Sequence, residues 1–329
     1  MKRNRNNFKY LLQIGLAFGL GVAIIYWIYR DLDFNLVKEV LFEQTVWGWM
    51  IASLFFGVMS HVLRGWRWLL ALEPLGEYPK KANAVYAIFL SYAANLVIPR
   101  LGEFTRCGVL SKYDGISFSK SLGSVVAERF VDTICIMLIT VFTLLLQSDL
   151  FISFFKETGY KIPVEGLFQK EWFYIFVLSG IGICVLLYLL AKKLALIERA
   201  KGVMKNIWEG IAALRKIKRA GLYWFYTLSI WLCYFFHFYL TFYCFSFSNE
   251  LGVLAGLSLF IVGSIAVIVP TPNGAGPWHF AVITMMVLYG VSKTDAGIFA
   301  LIVHTIQSFL VVLLGIYGFV SLPLSNKKQ

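Results

Sequence analysis

Apolar runs approaching 20 residues recur along this chain, and a soluble fold has no place for so many of them. Leu11–Tyr29, Val46–Val62, Ser121–Leu146, Trp172–Ala191, Leu222–Phe245 and Ala296–Leu322 are each close to or beyond that length. An α-helix needs ~20 residues to cross ~30 Å of hydrocarbon. Lipid offers the backbone no hydrogen-bond partner, so such runs fold as helices that satisfy themselves. Hydrophobic residues make up 59% of the 329 positions, against roughly 45–50% in soluble domains. The expected class is an all-α, polytopic membrane protein.

Charge then orients the spans. The net charge is +12, but the Lys and Arg residues sit in loops beside apolar runs, where the positive-inside rule explains them without nucleic acid. Lys2, Arg3, Arg5 and Lys9 precede the first span and place the N-terminus in the cytoplasm. Met1-Lys-Arg-Asn-Arg before an apolar run resembles a signal peptide but lacks a clear small-residue cleavage site, so it reads as an uncleaved first helix. His61, Arg64, Trp66 and Arg67 close the second span and read as an aromatic and basic interfacial anchor. The loop 192–220 carries nine Lys or Arg against Glu198 and Glu209, the clearest cytoplasmic signal, and its Ile197–Ile217 part has the spacing of a helix lying on the inner leaflet. The five cysteines (Cys107, Cys135, Cys184, Cys233, Cys244) have no CxxC spacing. That argues against a disulfide framework or a zinc site.

Two stretches interrupt the apolar pattern, one in each half: Asn95-Leu-Val-Ile-Pro-Arg-Leu-Gly-Glu-Phe-Thr-Arg106 and Pro270-Thr-Pro-Asn-Gly-Ala-Gly-Pro-Trp-His279. Paired breaks at matching positions point to a transporter's binding site near the bilayer midplane. Ala82–Ile98 stops at the first break and a basic stretch follows, so a re-entrant hairpin keeps that stretch inside. Leu251–Val269 enters the second break, and Phe280–Gly290 is too short for a comfortable crossing, which suits a second hairpin. The expectation is six full spans plus two re-entrant helical hairpins in an inverted repeat, with halves about 11–147 and 172–322 and both termini cytoplasmic.

Charges inside apolar runs mark the candidate site, because each costs at least ~2.5–3.5 kcal/mol at a helix centre. Glu128 and Asp132 are four apart and share a helix face, with Arg129 beside it. Glu103 and Arg106 have similar proximity if residues 101–111 are helical. A salt-bridge network that locks the hairpin to the next helix and a polar cavity that meets a charged headgroup are both open readings, and they can coexist. Arg100, Arg106 and Arg129 can hold phosphate bidentately. In the second half, His279 opens the returning arm, and His304, Gln307 and Ser308 share a face of the last helix. Convergence of His279 with His304 would make a polar pocket, and no Asp, Glu or Cys accompanies them at metal-ligand spacing. Asn273-Gly-Ala-Gly276 lacks the strand and Lys of a nucleotide loop. A helix starting at Pro277 would still aim free N–H groups at an anion. His61 and His237 read as ordinary interfacial or core residues.

At these residues the chain resembles the lysylphosphatidylglycerol synthase transmembrane-region family, also called the flippase-like domain family, the membrane half of the multiple peptide resistance factor. Its pattern runs Asn…Pro-x-Arg-x-Gly-Glu…Arg, then Glu-Arg-x-x-Asp, then Pro-x-Pro-Gly-Gly-x-Gly-x-x-Glu. Here stand Asn95, Pro99, a directly following Arg100, Gly102, Glu103 and Arg106; then Glu128, Arg129 and Asp132; then Pro270, Pro272, Asn273, Gly274, Gly276 and His279. Asn273 replaces a glycine and still tolerates a left-handed backbone. His279 stands where the family often has Glu, which makes any charge role there pH-dependent.

The resemblance implies a protein of the bacterial inner membrane that moves or binds a lipid, with an anionic phospholipid or polyprenyl-linked headgroup as cargo. Asn95, Arg100, Glu103, Arg106, Glu128, Arg129, Asp132, Asn273, His279, His304 and Gln307 are its expected binding residues. Few residues follow Leu322, so the soluble aminoacyl-transferase domain and its synthase activity are not expected. No enzyme activity, cofactor, metal or nucleic-acid partner is expected, and a homo-oligomer stays open. Two other classes remain alongside: an intramembrane lipid-modifying enzyme, and a scaffold that docks partners on the basic loop.

Overall fold

The computed structural model describes residues 19, 21–30, 32–147 and 215–326, which form helices joined by turns and loops, with no strand among them. The expected span Trp172–Ala191, most of the basic loop 192–220, the start of the first span and Cys184 lie outside the described residues. Helix α1 occupies residues 21–29. Helix α2 (Phe34–Glu39) continues into a π turn over Val40–Gln44, and this pair meets α3 (Trp47–Leu72) at a bend of 90°.

The second span is longer than its expected end at Val62. No helix breaker follows Arg67; Trp68–Leu72 are apolar, and the helix stops only at the turn holding Pro74 and the left-handed Gly76. Proline lacks the N–H that a continuing helix needs.

Helices α4 (Lys81–Val97) and α5 (Leu101–Asp114) form the first hairpin. Pro99 denies helical geometry to the residue before it; Ile98 is extended at φ −131°, and Arg100 turns the chain with φ 66°. The arms pack tightly because Gly102 has no side chain: a Cβ there would run into the Ser91 carbonyl. At the tip, Gly102 N–H donates to Asn95 Oδ1 over 2.8 Å; at the base, Asn83 Nδ2 donates to Asp114 Oδ1 over 2.9 Å. Both ends of this hairpin therefore lie at one end of the bundle.

Helix α6 (Phe118–Leu146) follows directly, and at ~1.5 Å per residue it is about 43 Å long. After the gap come α7 (Ala220–Tyr239) with a 3-10 turn to Cys244, then α8 (Val253–Ala266), α9 (Pro277–Leu288) and α10 (Lys293–Ser325). Helices α8 and α9 form the second hairpin, whose tip is residues 267–276. Its base sits at the far end of α6, where Tyr289 O–H donates to Gln147 Oε1 over 2.6 Å. Helix α10 also runs from one base to the other: it starts just after Tyr289 and ends at Asn326, whose Nδ2 donates to Asn83 Oδ1 over 2.8 Å. The two hairpins thus point at each other from opposite ends of the bundle.

Three helices among the described residues are long and apolar enough to cross a membrane: Phe118–Leu146, Ala220–Cys244 and Lys293–Ser325, with the bent α2–α3 pair as a fourth. The hairpin arms, of 17, 14, 14 and 12 residues, reach only about 18–25 Å. The outer face of α6 carries Leu138, Val141 and Leu145, the last 77% exposed, an apolar surface that suits lipid and not water. Inside, small residues let the helices close up: a Cβ on Gly315 of α10 would strike Ala93 of α4.

Candidate functional site

Where the hairpin tips approach, α3, α5 and α6 assemble a buried ionic cluster. Arg106 Nη1 on α5 lies 2.8 Å from Glu128 Oε2 on α6, and Arg67 Nε lies 3.4 Å from Glu128 Oε1. Arg67 Nη2 is 2.8 Å from Asp132 Oδ1, and Arg64 closes on Asp132 Oδ2. Arg129 Nη2 reaches back 3.0 Å to Glu103 Oε1. Glu128 and Asp132 do share one face of α6. Glu103 and Arg106 both lie on a helix, but they pair outward across to α6 and not with each other. Arg106 also lies over the Trp68 ring at 4.7 Å, a cation–π contact that replaces some of the hydration it has lost.

Arg64 and Arg67 correct the expectation of an interfacial anchor. They are 3% and 0% exposed, on the face of α3 turned toward α6. The signal was present in the sequence: at i and i+3 they share a face, and the apolar run resumes after them at Trp68. Sequence reasoning also missed Tyr92 and Tyr234. Arg64 Nη1 donates to both hydroxyls, over 3.0 and 2.7 Å, and the hydroxyls bond each other at 2.7 Å. Nothing in their local sequence separates them from the other aromatics.

The second tip is fastened to α10 by a closed circuit. Asn273 Nδ2 donates to Ser308 Oγ over 2.8 Å, Ser308 O–H donates to His304 Nδ1 over 3.4 Å, and His304 Nε2–H donates to the Asn273 carbonyl over 3.1 Å. His279 and His304 do converge, with ring centroids 4.4 Å apart. His279 Nδ1 accepts from Gly276 N–H over 3.3 Å, so one N–H at this helix start is taken within the chain. Gln307 Nε2 donates to the His237 carbonyl over 2.9 Å, and His237, read as an ordinary residue, bonds Ser53.

Between the tips lies a cavity of about 700 Å³. Of the expected site residues, Asn95, Arg100, Glu103, Arg129, Asp132, Asn273 and Gln307 line it, joined by Arg64, Tyr92, Tyr234 and His237. Arg106 and Glu128 sit behind that wall in the ionic cluster, and His279 and His304 sit behind the second tip. The facing wall, from the second hairpin, is largely apolar, with Leu259, Phe260, Val267 and Ile268 beside the polar Ser264, Thr271 and Asn273. Among the described residues the two non-glycine positions with positive φ are Arg100 (66°) and Asn273 (51°), one at each tip, both on the cavity. Strained backbone of this kind gathers where surrounding structure holds a site in shape.

Long apolar helices and a buried cluster of ion pairs define a multi-pass helical membrane protein. The chain belongs to the family described as the lysylphosphatidylglycerol synthase TM region, which it matches over residues 12–315. It is similar to two UPF0104 membrane proteins of Methanocaldococcus jannaschii. With MJ1595 it is 26% identical over 162 residues, 48% of this chain and 44% of that protein; with MJ1078 it is 25% identical over 223 residues, 67% of this chain and 90% of that protein. The chain thus spans under half the length of the first relative. No solved structure matches.

Proposed function

We propose that this protein binds a membrane lipid by its anionic headgroup and moves it between leaflets, through the cavity where the two hairpin tips meet. The observation that carries the reading is the two-faced cavity: Arg64, Arg100 and Arg129 on one wall, Leu259, Phe260, Val267 and Ile268 on the other. An amphiphile needs both faces. Guanidinium groups grip phosphate through paired N–H donors, and the apolar wall suits an acyl or prenyl chain. A phospholipid or a polyprenyl-linked lipid both meet this description.

In this reading the α4–α5 and α8–α9 pairs are re-entrant hairpins in an inverted repeat, completed by six spans with both termini cytoplasmic, in the cytoplasmic membrane. Support comes from the arms, too short to cross ~30 Å, and from the hairpin bases at opposite ends of α6. The buried residues Arg67, Arg106 and Glu128 hold the cavity wall in place, and the protein acts as a carrier and not as an enzyme. The test is the lipid that stays bound. Protein washed in mild detergent and analysed by mass spectrometry is expected to retain a phosphate-bearing lipid, and Arg129→Gln to lose it. Equal retention by that variant would overturn the assignment of the site.

A further inference from the structure

The ion cluster and the cavity share one charge balance, and it does not close. Glu128 and Asp132 are matched by Arg64, Arg67 and Arg106, and Glu103 by Arg129. Arg100 faces the same cavity. Five arginines therefore stand against three carboxylates among the described residues, an excess of two positive charges. The cavity wall alone has three arginines, Arg64, Arg100 and Arg129, against Glu103 and Asp132. Arg64, Arg67 and Arg106 are buried while Arg129 and Arg100 open onto the cavity, and an excess of positive charge at membrane depth is costly unless an anion answers it. Donors are also left over: Arg64 Nε, Arg129 Nε and Thr271 Oγ1 belong to residues lining the cavity and are buried with no partner among the described residues. Arg64 and Thr271 are 3% and 4% exposed, and they come from opposite walls.

Resting on the lipid-carrier reading above, we propose that the cargo is recognised by a doubly charged terminal phosphate, a phosphomonoester or a diphosphate, in preference to the singly charged phosphodiester of common phospholipids. A phosphomonoester carries about −1.5 to −2 charges near neutral pH and offers three acceptor oxygens; a diester carries one charge and has two free oxygens. Two surplus positive charges and donors on both walls match the first. Arg100, left-handed at the tip of the first hairpin, supplies the second of the two charges and is the residue that discriminates.

The test uses the full chain in nanodiscs and lipids with identical acyl chains at pH about 8, where the monoester is dianionic. Phosphatidic acid and diacylglycerol pyrophosphate are expected to bind about tenfold or more tightly than phosphatidylglycerol, and Arg100→Gln to shrink that gap to about threefold. Thr271→Val is expected to weaken the monoester more than the diester. Equal or tighter binding of phosphatidylglycerol by wild-type protein overturns the charge assignment and leaves the lipid reading standing. If none of the lipids binds, both fall. Inorganic diphosphate is the control for a free-anion site: displacement of the lipid at equal affinity overturns the lipid part of the proposal, and failure to displace it supports that part.

Discussion

Arg106 Nη1 lies 2.8 Å from Glu128 Oε2, with the two side chains 1% and 0% exposed. This contact joins the returning arm of the first hairpin to the long helix that follows it. Neither side chain reaches the cavity, yet both lie directly behind its wall. The pair therefore sets where Glu103, Arg129 and Asp132 stand without itself facing the cavity.

Removing Glu128 leaves Arg106 buried without its ion-pair partner, whereas Glu128 also has Arg67 at 3.4 Å. Glu128→Ala is expected to cost about 3–5 kcal/mol, because uncompensated buried charge is far more damaging than an absent pair. The double variant Arg106→Met with Glu128→Leu is expected to recover much of that loss. Reversible unfolding in mixed micelles reads both values. A single variant as stable as wild type would show that the pair holds nothing together.

The second tip depends on Asn273 in two ways, through its left-handed φ of 51° and its bond to Ser308. Asn273→Gly keeps the backbone and loses the bond, for a cost of about 1 kcal/mol. Asn273→Val loses both, adding about 1–2 kcal/mol for the left-handed conformation. Thermal unfolding should rank them in that order; the reverse order would remove the tip conformation from consideration.

Gly102 is where the arms of the first hairpin touch. A Cβ would meet the Ser91 carbonyl and lie 2.8 Å from Asn95 Nδ2, so Gly102→Ala is expected to push the arms apart and break the Gly102–Asn95 bond at the tip. Limited proteolysis near Pro99, faster than in wild type, is the measurement. Cleavage at the wild-type rate would mean that the arms tolerate separation.

Much of this was legible in the sequence. Pro99 and the Pro270–Pro277 run end helices by local chemistry, so both breaks appear where expected. Glu128 and Asp132 share a face because helical period alone fixes it. What local chemistry does not determine is the partner across the bundle. Arg106 turns to Glu128 and not to Glu103, three residues away, because α6 lies against α5. Arg64 and Arg67 read as the end of a span because basic residues usually mark one; their burial comes from two carboxylates far along the chain, Asp132 (68 residues beyond Arg64) and Glu128. Tyr92 and Tyr234 are brought together only by tertiary packing.

The opposed hairpins make a topological prediction. Lys112 lies near the base of the first hairpin and Lys293 just beyond the base of the second, and both are exposed. With the native cysteines replaced, Lys112→Cys and Lys293→Cys are expected to react with a membrane-impermeant maleimide from opposite faces of sealed, oriented vesicles. Reaction of both from one face would contradict the opposed arrangement.

Translocation itself is the most direct measurement. Proteoliposomes carrying a fluorescent phosphate-bearing lipid, quenched from outside, report how fast the inner leaflet becomes accessible. Wild-type protein is expected to speed that exchange well above protein-free vesicles, and Arg129→Gln, a change on the cavity wall, to slow it about tenfold, a loss of about 1.4 kcal/mol at the barrier. Exchange no faster than in empty vesicles, or an undiminished rate in a folded Arg129→Gln protein, would contradict a lipid path through this cavity.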